Sequence, residues 1–293
     1  MGKIIPVYRG IEFDGVDDYI DCGSATGLDN IAAINNAITI SAWINSAGAG
    51  DSLYPTIVDK LLLDAGWKFG LSTTNTKVVF YHYCSGNDLD KQTNAIITDN
   101  SWYHTLITWD NSLIAANVHI YVNNVEPTYA ISIDGTTALQ SDAANNLRIG
   151  ARSATGGEFK GKISEVAIWS AILTASQIAL LANSKIKGMP LQIQPAKLVM
   201  YLPLDDITIG QRGQSRTFYD LSGNKNHGTG VSGTSGLTSV PIQNVFYDVS
   251  SLYLEKKAPY QIVRFPQRRS YLLPAVGGLS IPVAMAIYKQ MRN

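Results

Sequence analysis

Residues 38–44 read Ile38-Thr39-Ile40-Ser41-Ala42-Trp43-Ile44, and the alternation in this stretch decides the fold class. A period of two puts Ile38, Ile40, Ala42 and Ile44 on one side of an extended chain and Thr39, Ser41 and Trp43 on the other, the pattern of a half-buried antiparallel strand. Outward from it, further short strands are expected at 56–59, 67–71, 77–83, 102–109, 117–122, 147–150 and 162–169, separated by turns rich in Gly, Asn, Asp and Ser. Asn123-Asn124 suits a tight turn because both residues tolerate positive φ. So many short strands predict an all-β sandwich of two antiparallel sheets.

One helix is expected. Thr174 can cap it, Gln177 stands three residues on as in a capping box, and Ile178, Leu180 and Leu181 supply an apolar stripe that ends near Asn183. Gly188-Met189-Pro190 breaks that pattern, so a domain spanning 1–188 is expected, followed by a segment spanning 189–293. Within the second part, 198–204 reads as a strand, 220–236 as a Gly/Ser/Asn-rich loop, and 253–265 as one or two strands around Pro259. It lacks the apolar density of a large core of its own. It is expected to lie against the first domain, a neighbouring subunit or another protein.

At 293 residues the chain is long enough for one large sandwich or two smaller domains. Lys plus Arg and Asp plus Glu both number 23, so no long-range field draws nucleic acid or an anionic membrane. Charged residues make up only 16%, against about 25% in an average soluble domain. That profile suits a β-rich extracellular, virion or surface protein. Two cysteines, Cys22 and Cys84, are too few for a disulfide framework, and the sequence leaves their pairing open. The first seven residues hold one lysine and no apolar run of signal-peptide length, so either a leader has been trimmed or the protein folds in the cytoplasm. The uncharged run 271–288 has the length of a membrane span, but Pro274, Gly277, Gly278, Ser280 and Pro282 interrupt it, and buried strand and loop are expected there.

Four tracts in chain order carry a family resemblance. They are Phe13-Asp14-Gly15 with Asp17-Asp18-Tyr19-Ile20; the 38–44 strand; Trp102-Tyr103-His104 with Thr108-Trp109-Asp110 and Ile120-Tyr121-Val122-Asn123; and Phe159-Lys160-Gly161-Lys162-Ile163-Ser164-Glu165-Val166 ahead of the short helix. Together they resemble the laminin G-like, concanavalin-type jelly roll over about residues 10 to 185. Such domains usually carry Asp where this chain has Ser164, which bears on any metal site that relies on that carboxylate. Residues 198–205 and 220–229 look like the opening of the same domain type, yet they follow the sandwich. That arrangement resembles some bacteriophage and environmental viral structural proteins, in which the late segment completes or extends the sandwich.

Calcium is the cofactor expected if there is one. Asp14, Asp17, Asp18 and Asp21, with the Gly15 carbonyl and Glu165 as a distant ligand, offer hard oxygen donors, and the competing reading is a solvated acidic turn. Glycan binding would use Tyr81 and Tyr83, which share a strand face with Val79, together with Trp67 and His82 nearby, although half-buried sheet aromatics usually serve the core.

Catalysis finds no support. Hydrolases that the same jelly roll houses carry acids at alternate positions of one strand, and no Glu-x-Asp-x-x-Glu occurs here. His82, His104, His119 and His227 show neither metal-ligand spacing nor the setting of a nucleophilic triad, and His104 is expected to be a hydrogen-bonded structural residue. Gly156-Gly157 and Gly223 lack a phosphate-loop signature. Arg264, Arg268 and Arg269 form a basic group that would pair with a partner's carboxylates or stand in a solvated turn.

The resemblance therefore implies a non-catalytic structural and binding protein of a virion surface, a phage capsid decoration or fibre-type protein with glycan-binding capacity. Its expected partners are capsid proteins, copies of itself and cell-surface glycans, with no nucleic acid and no membrane insertion. The alternative is a carbohydrate-binding adhesin domain of a bacterial surface or secreted protein.

Overall fold

The computed structural model describes residues 9–29, 31, 37–48, 54–152, 156–183, 188–207, 211–233 and 237–241, and two short strands beyond them. In chain order the strands are β1 (Arg9–Asp14), β2 (Tyr19–Asp21), β3 (Ile38–Ser46), β4 (Thr56–Asp59), β5 (Trp67–Leu71), β6 (Val78–His82), β7 (Leu89–Thr93), β8 (Trp102–Trp109) and β9 (His119–Val122). There follow β10 (Tyr129–Ile133), β11 (Arg148–Ile149), β12 (Lys160–Trp169), the helix α1 (Ala175–Asn183), β13 (Leu198–Leu202), β14 (Thr217–Phe218), β15 (Gly228–Val231), β16 (Thr238–Pro241), β17 (Ile262–Arg264) and β18 (Ser270–Leu272).

Among the described residues these strands build two large antiparallel sheets. One has nine strands in the order β10-β7-β6-β5-β4-β11-β2-β15-β14; the other has seven, in the order β16-β1-β12-β3-β8-β9 with β13 added on β12. The alternation at 38–44 does what its period dictates. Ile38, Ile40, Ala42 and Ile44 enter the core between the sheets, where they meet Phe13, Ile20, Phe69, Phe80, Trp109, Ile149 and Ile163. Thr39, Ser41 and Trp43 face the other way, and the Ser41 hydroxyl lies 2.8 Å from His104 Nε2. The expectation of a hydrogen-bonded structural histidine at 104 holds.

Local rules shape the connections. Asn123 and Asn124 turn the chain at φ values of 50° and 66°, the left-handed pair that a tight hairpin needs. At the start of α1 the capping box is reciprocal: Gln177 Oε1 accepts from the Thr174 N–H at 2.9 Å, and Thr174 Oγ1 accepts from the Gln177 N–H at 3.4 Å. The helix covers the outer side of the seven-stranded sheet with Ile178 and Leu181, which join Leu106, Trp169, Leu198 and Tyr201 in a second apolar cluster. Leu180, expected in the same stripe, points outward.

β12 carries a bulge between Ser164 and Ala167, with Glu165 at φ 53°. Before the bulge one edge of β12 pairs with β1; after it the same edge pairs with β13. The other edge runs along β3 throughout. The chain divides by its contacts into Met1–Val245 and Phe246–Asn293. The boundary expected after residue 188 is therefore corrected: β13 to β16 are strands of the two sheets, with β15 paired to β2 and β16 to β1. In the second unit β17 and β18 form an antiparallel pair. Of the basic group, Arg264 ends β17, while Arg268 and Arg269 lie outside the described residues. Cys22 and Cys84 are free, buried thiols. No helix among the described residues is long and apolar enough to cross a membrane.

Candidate functional site

The inner face of the nine-stranded sheet is set by Ile20, Val58, Phe69, Phe80, Leu89 and Ile149, all core residues. Their chain neighbours must project from the opposite face, and the strand registers line them up. Thr217, Thr229, Asp21, Arg148, Asp59, Lys68, Tyr81 and Asp90 are successive cross-strand partners from β14 to β7. Acid and base alternate in the middle of this row. A pairing slip of one residue would send the whole set into the core.

Aromatic rings flank the charges. The Arg148 guanidinium sits 4.3 Å from the Tyr19 ring centre and Lys68 Nζ 4.5 Å from that of Tyr54. Tyr81 and Tyr83, two residues apart and half-buried, meet edge to face at 5.2 Å. The Tyr81 hydroxyl donates to Asp88 Oδ2, and burial first, then that bond, pushes its pKa well above the usual phenol range. Tyr81 is thus a neutral donor. Asp90, its pKa raised by burial, accepts twice from Gln92 Nε2, at 3.2 and 2.9 Å.

Trp67 and His82 do not belong to this surface, which corrects the expectation that grouped them with Tyr81 and Tyr83. They are partners across β5 and β6 on the inner face and are 0% and 1% exposed. His82 packs 5.2 Å from the Trp109 ring. Trp67 donates from Nε1 to Asp142 Oδ2 at 2.9 Å. Asp142 in turn meets the buried Lys60 ammonium at 3.3 Å, and Asp29 Oδ1 is 3.4 Å from the same nitrogen. These side chains hold the 60–66 and 142–147 loops together. The residues around this face that sequence reasoning passed over are Tyr19, Tyr54, Asp59, Lys68, Arg148 and Arg152. The signal for Asp59, Lys68 and Arg148 was strand parity, since each is the outward neighbour of an apolar core residue.

Of the five carboxylates expected to share a cation, three come together. Carboxylate oxygens of Asp14, Asp17 and Asp18 lie within 4.8 Å of one another in the β1–β2 turn. Asp21 and Glu165 are occupied elsewhere. Asp21 accepts from the Gly23 N–H, from Asn146 and from Arg148, and Glu165 accepts from the Tyr201 hydroxyl at 2.6 Å.

Two of the gathered acids also anchor the chain between β15 and β16. The Gly233 N–H donates to Asp17 at 2.9 Å and the Leu237 N–H to Asp18 Oδ2 at 2.9 Å. A Cβ on Gly233 would stand 1.8 Å from Asp17 Oδ2, so a larger residue there would push the Asp17 carboxylate out of its place. Burial raises the Asp18 pKa despite the hydrogen bonds that lower it. Its Oδ1 is buried and makes no hydrogen bond, although the Ser232 hydroxyl lies beside the carboxyl. Three carboxylates gathered in this way are hard oxygen donors of the kind calcium takes.

The model of the concanavalin A-like lectin/glucanases superfamily, in its laminin G-like branch, matches residues 14–179. The chain belongs to this superfamily. A solved structure from Bacteroides ovatus, that of a proposed carbohydrate-binding protein, superposes with a TM-score of 0.54 at 19% identity, over 83% of this chain and 62% of that one. At that identity the likeness is one of fold, and the superfamily member described here spans under two thirds of that protein's length. More distant are a heptameric SAP-like pentraxin from Limulus polyphemus (TM-score 0.42, 12% identity, 64% of this chain and 87% of that one) and the botulinum neurotoxin serotype C1 binding domain (0.40, 17%, 62% and 48%). No curated protein sequence matches the chain.

Proposed function

We propose that this superfamily member is a non-catalytic glycan-binding domain whose binding face is the outer side of the nine-stranded sheet around Tyr81 and Tyr83. The observation that carries this reading is the registered row of charged and aromatic side chains on that face, which pairs ring surfaces with hydrogen-bonding groups as sugar recognition requires. A non-catalytic role fits because the carboxylates of the face are already engaged: Asp21 by Arg148, Asp59 by the Leu61 N–H, Asp88 by Tyr81 and Asp90 by Gln92. An acid and a base for glycoside cleavage would have to be released from these bonds.

Glycan-array binding followed by titration tests the reading. Tyr83→Ala is expected to weaken saccharide binding about five- to tenfold, the loss of roughly one aromatic contact. Saccharide turnover by the wild-type protein, or no saccharide binding at all, would overturn it. The narrower reading, a phage capsid decoration or fibre protein, adds a setting in which the face looks outward from a particle. Saturable binding to purified particles distinguishes that setting from an adhesin on a cell surface.

Calcium belongs to the same proposal as a structural ion. Asp14, Asp17 and Asp18 would hold it, and it would fasten the Gly233 and Leu237 amides to the β1–β2 turn. Millimolar calcium is expected to raise the melting temperature by about 5 °C, and Asp18→Asn to abolish the rise. An unchanged melting temperature excludes the ion.

A further inference from the structure

One corner of the outer face holds a buried ammonium and a buried guanidinium nitrogen that the fold does not satisfy. Lys68 is 7% exposed, and among the described residues its ammonium donates no hydrogen bond and forms no ion pair; its close neighbour is the Tyr54 ring, 4.5 Å away. Arg152 stands close enough for its charge to act on Lys68. The Arg152 Nε is buried and has no hydrogen-bond partner. Its side chain is held beside Gly157, where a Cβ would stand 2.4 Å from Arg152 Cγ. Buried cations in folded proteins are ordinarily paired and hydrogen-bonded. Lys68 is such a cation left open, and beside it the half-buried Arg152 leaves its buried Nε donor open.

The electrostatics point the same way. Burial foremost, and Arg152 next, lower the Lys68 pKa to about 8, while Asp59 and Asp90 act in the opposite direction without offsetting them. An ammonium placed so is costly to the fold unless something brings it an acceptor. The row offers no anion in contact with it: Asp59, its cross-strand partner, accepts from the Leu61 N–H, and Asp90 is taken by Gln92.

We infer that the Tyr54–Lys68–Arg152 corner takes the acid group of an anionic sugar, with the oxyanion between Lys68 Nζ and the Arg152 guanidinium and the sugar ring running on toward Tyr81 and Tyr83. This rests on the glycan-binding reading and names its ligand class. The shared chemistry is an oxyanion on a pyranose, which a uronate, a sialate or a sulfated sugar supplies. A guanidinium offers a planar fork of donors to such a group and the ammonium a point charge.

The test titrates the full chain with trigalacturonate, 3′-sialyllactose, 6-sulfolactose and the neutral sugars galactotriose and lactose. At least one acidic probe is expected to bind tenfold or more tightly than its neutral counterpart, and the strongest of the three names the source of the anion. Lys68→Met and Arg152→Gln are each expected to weaken that probe tenfold or more, with neutral sugars unaffected. Lys68→Met should melt at or above the wild-type temperature, because it removes an unsatisfied buried charge; a lower melting temperature would make Lys68 a structural residue and overturn the inference. Preference for neutral probes, or acidic binding indifferent to both substitutions, overturns it too and leaves the glycan-binding face standing. No binding of any saccharide overturns both.

Discussion

Asp142→Ala is expected to lower stability by about 3–5 kcal/mol, the cost of stranding a buried charge. Lys60 is fully buried, and the Asp142 carboxylate is its inner counter-ion at 3.3 Å. The same carboxylate accepts the indole N–H of Trp67 at 2.9 Å. Removing it leaves the ammonium with the Asp142 carbonyl and the more exposed Asp29, and the indole N–H with no acceptor. Asp142→Asn keeps an acceptor for the indole but not the charge, so its cost should fall between wild type and Asp142→Ala. Urea unfolding followed by tryptophan fluorescence measures both. A loss below about 1 kcal/mol for the alanine variant, the scale of an exposed pair, would show that water reaches Lys60.

The second large effect is acid sensitivity. His104 and His82 are buried in the neutral form, with pKa values lowered by burial to about 3 and about 4 from 6.5. His104 sits between Ser41 and the Trp43 ring, and His82 Nδ1 lies 2.7 Å from the Tyr83 carbonyl against the Trp109 ring. Below pH 6.5 the unfolded chain takes up protons on both rings that the native state refuses. The stability these two confer is therefore complete above 6.5 and drains as pH falls toward 4 and 3. Each ring contributes a slope of about 1.4 kcal/mol per pH unit. Between pH 6.5 and 4.5 the pair is expected to cost on the order of 5 kcal/mol. Asp18 and Asp90, whose pKa values are raised, oppose the loss over a window that opens only above 3.8. Chemical denaturation across this range tests the expectation, with His104→Phe and His82→Phe each removing about half the slope. Stability that holds level from pH 6.5 to 4.5 would contradict it.

Where one strand face is apolar and the other polar, the architecture could be read from the residues, as Ile38 to Ile44 show. The Thr174 and Gln177 cap and the Asn123-Asn124 turn were legible for the same reason: the local chemistry and the fold agree. β7 was not. Its sequence, Leu89-Asp90-Lys91-Gln92-Thr93, has one apolar residue, and Lys91 lies on the Phe80 side because its ammonium stacks 3.9 Å from the Tyr129 ring. β15 was hidden by its glycines. A Cβ at Gly228 would stand 2.3 Å from Ile20 and one at Gly230 2.0 Å from the Gly213 carbonyl, so a segment that reads as loop is a strand under close approach. For the candidate site, Tyr81 and Tyr83 were visible because they share a strand. Trp67 and His82 were misassigned because closeness in sequence does not fix the side of the sheet. Lys68, Tyr54 and Arg152 come from three separate stretches, and only the folded registers bring them to one corner.

The way β12 divides one edge between β1 and β13, while β15 and β16 pair with β2 and β1, sets the timetable of folding during synthesis. β1 and β2 wait for partners encoded more than two hundred residues later, and one edge of each stays bare until residues 228–241 have emerged. Neither layer can close before these late strands arrive, and until then the open edges of β1 and β2 are available to any other strand.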